Sequence, residues 1–137
     1  MSIKIYVDQG HNPVNPNAGA EGNGLREQDL VYTIGQELAD RLRADPDFEV
    51  RLSRPTRDTL LGTTNATSLA ARVSEANRWG ADYFISLHTN AASSPSAGGS
   101  EAYVYARGTP AFGFAEDILT NLTDITGLRD RGGQARP

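Results

Sequence analysis

Apolar positions along the chain switch between a strand period and a helix period. Residues 3–8 (Ile-Lys-Ile-Tyr-Val-Asp) are β-branched and aromatic and stop at Gln9-Gly10, which predicts a first strand. Residues 11–24 are rich in Asn, Pro and Gly and have no periodicity, so they read as a long loop; ordered loops of that length tend to be functional. Leu30, Ile34, Leu38 and Leu42, with Val31 beside them, recur at helical spacing and predict a helix from about 27 to about 44, closed by Pro46. Residues 48–53 give a second strand, ended by Arg54-Pro55. Ser68 is the expected N-cap of a second helix, with Leu69, Val73, Ala76 and Trp79 on its apolar face and Gly80 as its stop. Residues 82–87 are nearly continuously apolar, as expected of a strand covered on both faces, and His88 sits at their C-terminal end. Residues 91–99 are small, and residues 101–106 alternate as a fourth strand. Thr109-Pro110 is a cap followed by a first-turn proline, opening a third helix with Phe114, Ile118, Leu122 and Ile125. The last ten residues, 128–137, carry no period.

The order β-α-β-α-β-β-α points to an α/β fold, a three-layer α/β/α domain with a mostly parallel central sheet. The 137 residues suit one domain, and neither an internal repeat nor an interdomain linker is visible. Ligands of such sheets collect beyond the carboxyl ends of the strands. His11 follows the first strand and His88 ends the third, so both imidazoles are expected on one edge.

Composition narrows the chemistry. With no cysteine, disulfides, Cys-ligated zinc, iron–sulfur clusters and thiol nucleophiles are excluded. A net charge of −4 without a Lys/Arg block speaks against nucleic-acid partners and polybasic membrane tethers. No stretch approaches the roughly 20 apolar residues that cross a bilayer, and the start of the chain lacks the plan of a signal peptide. The glycines of residues 19–24 have no Gly-Lys-Ser/Thr after them, so they are no phosphate cradle. Gly99-Ser100-Glu101 is not a nucleophile elbow.

His11 and His88 are the only histidines in the chain. Each alone would ordinarily be a solvated or turn-capping residue. On one rim, two imidazoles and a carboxylate make a three-ligand site with an open position, the usual plan of catalytic zinc. Asp8, Glu21, Glu27, Asp29 and Glu101 are the carboxylates near that rim, and periodicity does not choose among them. Asp8 is expected either to be structural or to hold His11 by its other ring nitrogen.

Several runs, in order, resemble the zinc-dependent N-acetylmuramoyl-L-alanine amidases of the amidase 3 family. They are Val7-Asp8-Gln9-Gly10-His11, Ala18-Gly19-Ala20, Gly24-Leu25-Arg26-Glu27-Gln28-Asp29, Arg54-Pro55-Thr56 and Ser68-Leu69-Ala70-Ala71-Arg72. Ala76-Asn77, the run from Asp82 to Ala91, Gly99-Ser100-Glu101-Ala102-Tyr103 and the run from Gly127 to Gly132 continue the match across essentially the whole chain. The resemblance implies zinc (Zn2+) held by His11, Glu27 and His88, and hydrolysis of the amide between N-acetylmuramic acid and L-alanine in peptidoglycan. That is a cell-wall hydrolase acting outside the cytoplasm, in wall remodelling, sporulation or phage lysis. Asn90 and Arg131, with Arg129 beside the latter, are candidate substrate contacts, and Glu101 is the candidate carboxylate, for orienting the substrate in preference to handling protons.

Two departures qualify the implied site. Gln9 and Asn12-Pro13 stand where many members have proline and glycines, a loop variation that should not move the ligand. The family's general base lies on a late strand in a Val-Glu-x-Gly-Phe context, which falls beyond Pro137. Residues 1–137 are therefore expected to be a single amidase catalytic domain lacking its last strand and helix, marginal in stability as it stands and monomeric if completed. The alternative is a non-catalytic zinc- or peptidoglycan-binding fragment or degenerate homologue.

Overall fold

The computed structural model describes residues 1–90, 94 and 96–137; Ala91, Ala92, Ser93 and Pro95 of the predicted small-residue stretch lie outside them. Strand β1 (Ile3–Gln9) is the centre of a three-stranded parallel sheet ordered β4-β1-β5, with β4 (Phe48–Leu52) and β5 (Tyr83–Leu87) on its flanks. Alternation along β1 sorts its side chains to two helices. Ile5 and Val7 pack with Ala39 of helix α1 (Glu27–Arg43) and Leu52 of β4, with Leu38, Leu42 and Ile85 around them. On the other face, Lys4, Tyr6 and Asp8 meet helix α2 (Asn65–Trp79): Lys4 Nζ donates to the Trp79 carbonyl, Tyr6 Oη to Glu75, and Arg72 to Asp8. Helix, sheet and helix thus form the three expected layers.

Two compact units divide the chain, Met1–Ala91 and Ala92–Pro137. The sheet just described belongs to the first. In the second, strand β6 (Ser100–Val104), helix α3 (Pro110–Thr126) and strand β7 (Asp130–Ala135) form a β-α-β unit whose two strands pair in parallel. Strand β7 corrects the reading of residues 128–137 as patternless tail. Its sequence, DRGGQA, has no apolar run to reveal a strand, and Gly133 donates its N–H to Glu116 Oε1 of α3 at 2.7 Å. A short antiparallel hairpin, β2 (Glu21–Gly22) with β3 (Leu25–Arg26), likewise punctuates the long loop.

The helix faces differ from those read off the large aliphatics. Helix α1 buries Val31, Gly35 and Ala39, while Ile34 stays 51% exposed. Helix α2 buries Ser68, Arg72 and Ala76 and leaves Leu69 and Val73 half exposed. Helix α3 buries Ala115 and Leu119 and leaves Ile125 in solvent. A small residue stands in each contact — Gly35, Ser68 with Ala76, and Ala115 — where it lets the helix backbone approach its sheet. Ser68 is not the N-cap of α2: Thr64 is, in a capping box with Thr67, which places Ser68 one turn inside. Strand β5 is not covered on both faces, since Phe84 is 42% exposed at the sheet's edge; the strand buried on both faces is β1. Among the described residues no helix is long and apolar enough to cross a membrane.

Candidate metal centre

At the carboxyl edge of β1 the chain turns sharply. Gly10 donates to the Leu87 carbonyl at 3.1 Å, and a Cβ on it would lie 2.5 Å from the His88 ring, so only glycine lets the two strand ends approach this closely. His11 follows with φ +66°, in the left-handed region that side chains rarely adopt. The loop beyond is tied down by Asn12, which is buried; its amide donates to the carbonyls of Pro16 and Leu61, and its Oδ1 accepts from Leu61 N. The loop returns along Gly19 and Ala20 to the start of α1. A Cβ on Gly19 would meet Glu27 Cβ at 2.8 Å and His11 Cδ2 at 3.0 Å, so this glycine gives the loop room to pack over both side chains.

Glu27 opens α1, where the helix dipole favours a carboxylate. Burial would raise its pKa. Hydrogen bonds from the backbone N–H groups of Ala20 (3.2 Å) and Thr89 (2.9 Å), with the neighbouring His11 and His88, overcome that effect and hold the carboxyl below its usual range. His88 continues β5 just past Leu87, so backbone hydrogen bonding to β1 brings its ring beside that of His11, edge to face at 4.9 Å.

The three sequence candidates His11, Glu27 and His88 therefore meet. His11 Nε2 lies 3.2 Å from Glu27 Oε1, His88 Nδ1 lies 3.3 Å from the same oxygen, and the two nitrogens are 3.2 Å apart. The side chains are 20%, 6% and 43% exposed for His11, Glu27 and His88, so the triangle is anchored on a buried acid and open toward solvent at His88. This donor set could hold a metal ion. Ligand atoms about 2.0–2.1 Å from a tetrahedral ion lie about 3.3 Å apart, and all three separations match that edge. Two neutral imidazoles and a carboxylate oxygen are also the right chemistry for a divalent cation of zinc's character.

Asp8 does not hold His11 by its ring. Its Oδ1 accepts from Arg72 Nη1 at 2.7 Å and its Oδ2 from Ser86 Oγ at 2.7 Å, while His11 Nδ1 is buried without a hydrogen-bond partner among the described residues. The reason is geometric: Asp8 points to the α2 face of β1, where Arg72 is the buried cation. Asn90 follows two residues after His88 and is exposed. Glu101 and Arg131 lie in the second unit, 3.7 Å apart, and Tyr103 Oη donates to Glu101 Oε1 at 2.7 Å. Arg72 and Ser86 are the functional neighbours that periodicity missed. Arg72 shares a helical face with Ser68 and Ala76, and a charged residue in such a stripe was the available signal.

Comparison with known proteins gives the family. The chain matches the family described as N-acetylmuramoyl-L-alanine amidase (Amidase_3) over residues 5–137, and it belongs to that family. It is 33% identical over 132 residues to N-acetylmuramoyl-L-alanine amidase CwlM of Bacillus licheniformis, covering 95% of this chain and 47% of that protein. Against N-acetylmuramoyl-L-alanine amidase LytC of Bacillus subtilis the identity is 37% over 130 residues, covering 93% of this chain and 24% of that one. The solved N-acetylmuramoyl-L-alanine amidase from Clostridium difficile 630 superposes with a TM-score of 0.84 at 27% identity, covering 98% of this chain and 70% of the other. The chain thus spans about half the length, or less, of these curated relatives.

Proposed function

We propose that His11, Glu27 and His88 bind one zinc ion and that the protein hydrolyses the amide between the lactyl group of N-acetylmuramic acid and L-alanine in peptidoglycan, outside the cytoplasm. The observation that carries this reading is the near-equilateral triangle of donor atoms, with sides of 3.2–3.3 Å, open on the side of His88. When bound, zinc supplies Lewis acidity and lowers the pKa of a coordinated water to about 7. The protein's own residues do the rest. Glu27 stays ionised at neutral pH under the N–H groups of Ala20 and Thr89, so its charge is available to a cation without first losing a proton. His11 and His88 add neutral nitrogens, and the exposed side of His88 leaves room for a bulky glycopeptide.

Asn90, Arg131 and Glu101 complete the proposal. Asn90 and Arg131 are assigned to polar contacts with the muropeptide. Glu101 is the carboxylate of this chain assigned to proton handling, a role worth roughly 10²–10⁴-fold in rate. E101Q should lose activity in that range; a smaller loss assigns Glu101 to holding Tyr103 and Arg131.

Metal analysis of the purified chain, together with digestion of purified peptidoglycan, tests the reading. The expected result is one zinc per chain, lost in H11A and H88A, and release of new L-alanine amino termini that a chelator stops and zinc restores. A chain that takes up zinc and sediments with peptidoglycan, yet releases no such termini, is a binding module. A chain that takes up no zinc overturns the centre itself.

A further inference from the structure

We propose that Arg72, anchored by Asp8, is a positioning residue that sets the place of His11 and its spacing from His88, and so tunes the metal affinity of the centre. The inference rests on the zinc reading above and goes beyond it by naming what holds the ligands in register. A metal-ligating imidazole is ordinarily oriented by a hydrogen bond from its second ring nitrogen. His11 has none: its Nδ1 is buried and meets no partner among the described residues. The ring is then directed by the loop that packs over it at Gly19 and by its own backbone, and that backbone stands at φ +66°, a conformation that persists only where the surroundings enforce it.

Arg72 is the group that enforces it. The side chain is 1% exposed, and its planar fork reaches both carbonyls that flank Gly10: Nη1 donates to Gln9 at 2.6 Å and Nη2 to His11 at 2.7 Å. Nη2 also donates to Asn12 Oδ1 at 3.2 Å, which extends the grip one residue further. Asp8 neutralises the buried cation through Oδ1, and its other oxygen accepts from Ser86 Oγ on β5, two residues before His88. One ion pair is therefore bonded to the backbone of the first histidine and to the strand that delivers the second. Lysine could keep the charge beside Asp8, but a single ammonium cannot span both carbonyls in the fixed geometry of a guanidinium.

Zinc affinity by competition with a chromophoric chelator, on the full chain, tests this with wild type, R72K, S86A and the core control I5A. Each variant is first shown by circular dichroism to be folded in the titration buffer. R72K is expected to bind zinc about 10–100-fold more weakly than wild type, and S86A more weakly by a smaller factor. I5A, on the α1 face of β1 and away from the Asp8–Arg72 pair on the other face, is expected to lose stability and keep wild-type affinity. Equal affinity in R72K and wild type overturns the inference, as does an I5A variant that loses affinity in step with R72K. If R72K does not fold, S86A decides: weakened binding supports the inference and unchanged binding overturns it. Wild type that binds no zinc fails the metal centre instead, so the two failures are told apart.

Discussion

Tyr6 shows how much one side chain of the central strand carries. Fully buried, it stacks on Phe84 with centroids 5.5 Å apart and donates its hydroxyl to Glu75 Oε2 at 2.8 Å. Burial first, and then the Glu75 carboxylate, pushes its phenol well above the ordinary tyrosine range. An unfolded tyrosine ionises near pH ~10 while the folded one keeps its proton, so the stabilisation is complete below pH ~10 and declines as pH rises toward the folded value. The decline is about 1.4 kcal/mol per pH unit for this one group. Urea melts of wild type and Y6F between pH 8 and 11 should show a wild-type advantage that is constant at the lower end and shrinks at the upper end. A difference independent of pH would mean that Tyr6 ionises as freely in the fold as out of it. The same residue-level view explains what was legible beforehand at the site. That His11 and His88 share one rim was readable from two histidines at two strand ends, whereas Glu27 was picked from five carboxylates only by the family resemblance of the run around it. The partner of Asp8 was not, since choosing between His11 and Arg72 requires knowing which face of β1 the carboxylate occupies.

At the scale of elements, the three helices and strands β1, β4, β5 and β6 followed from periodicity, but the rotation of each helix did not. Large aliphatics point to a face centred on Leu30, Ile34 and Leu38; Leu38 and Leu42 do pack on the core, but the buried centre of the contact is Val31, Gly35 and Ala39, which leaves Ile34 exposed. Gly35 makes the case quantitative. Replacing an interior helical glycine with alanine usually stabilises by about 1 kcal/mol. Here the added Cβ would lie 2.3 Å from Gln9 Cγ. Gln9 is buried and cannot yield, because its amide donates to the Tyr32 carbonyl at 3.1 Å and its Oε1 accepts from Arg54 N at 2.9 Å. Overpacking of this kind costs about 1–3 kcal/mol, more than the propensity gain, so G35A should lower the urea midpoint. A G35A protein that melts later than wild type would show that α1 sits further from β1 than the geometry requires. Strand β7 was missed for a different reason: DRGGQA carries no apolar residue but one alanine, so its pairing with β6 leaves no hydropathy signal.

For the whole molecule, the division into two units has a consequence for how metal binding and folding are coupled. Every atom of the donor triangle, and every backbone N–H group that holds Glu27, comes from the first unit, as does the Asp8–Arg72 pair. Metal bound to the folded first unit stabilises it by mass action, by about 2.7 kcal/mol at a free concentration 100 times Kd. The second unit owes its own cohesion to α3 packed on β6 and β7, with Leu119 only 1% exposed. Truncating that side chain should cost about 2–5 kcal/mol, as buried leucines do. Leu119 lends no atom to the donor triangle, and effects at sites that share no partner add rather than interact. L119A should therefore weaken hydrogen-exchange protection across residues 100–135 while its zinc affinity stays within about 2-fold of wild type. The reverse pattern is expected for H88A, which should abolish zinc binding and the zinc-dependent protection of β1, α1 and β5 without touching protection in α3. Zinc affinity that falls with L119A as steeply as it does with R72K would show that the centre is not self-sufficient in the first unit, and that the second unit holds the ligands as firmly as Arg72 does.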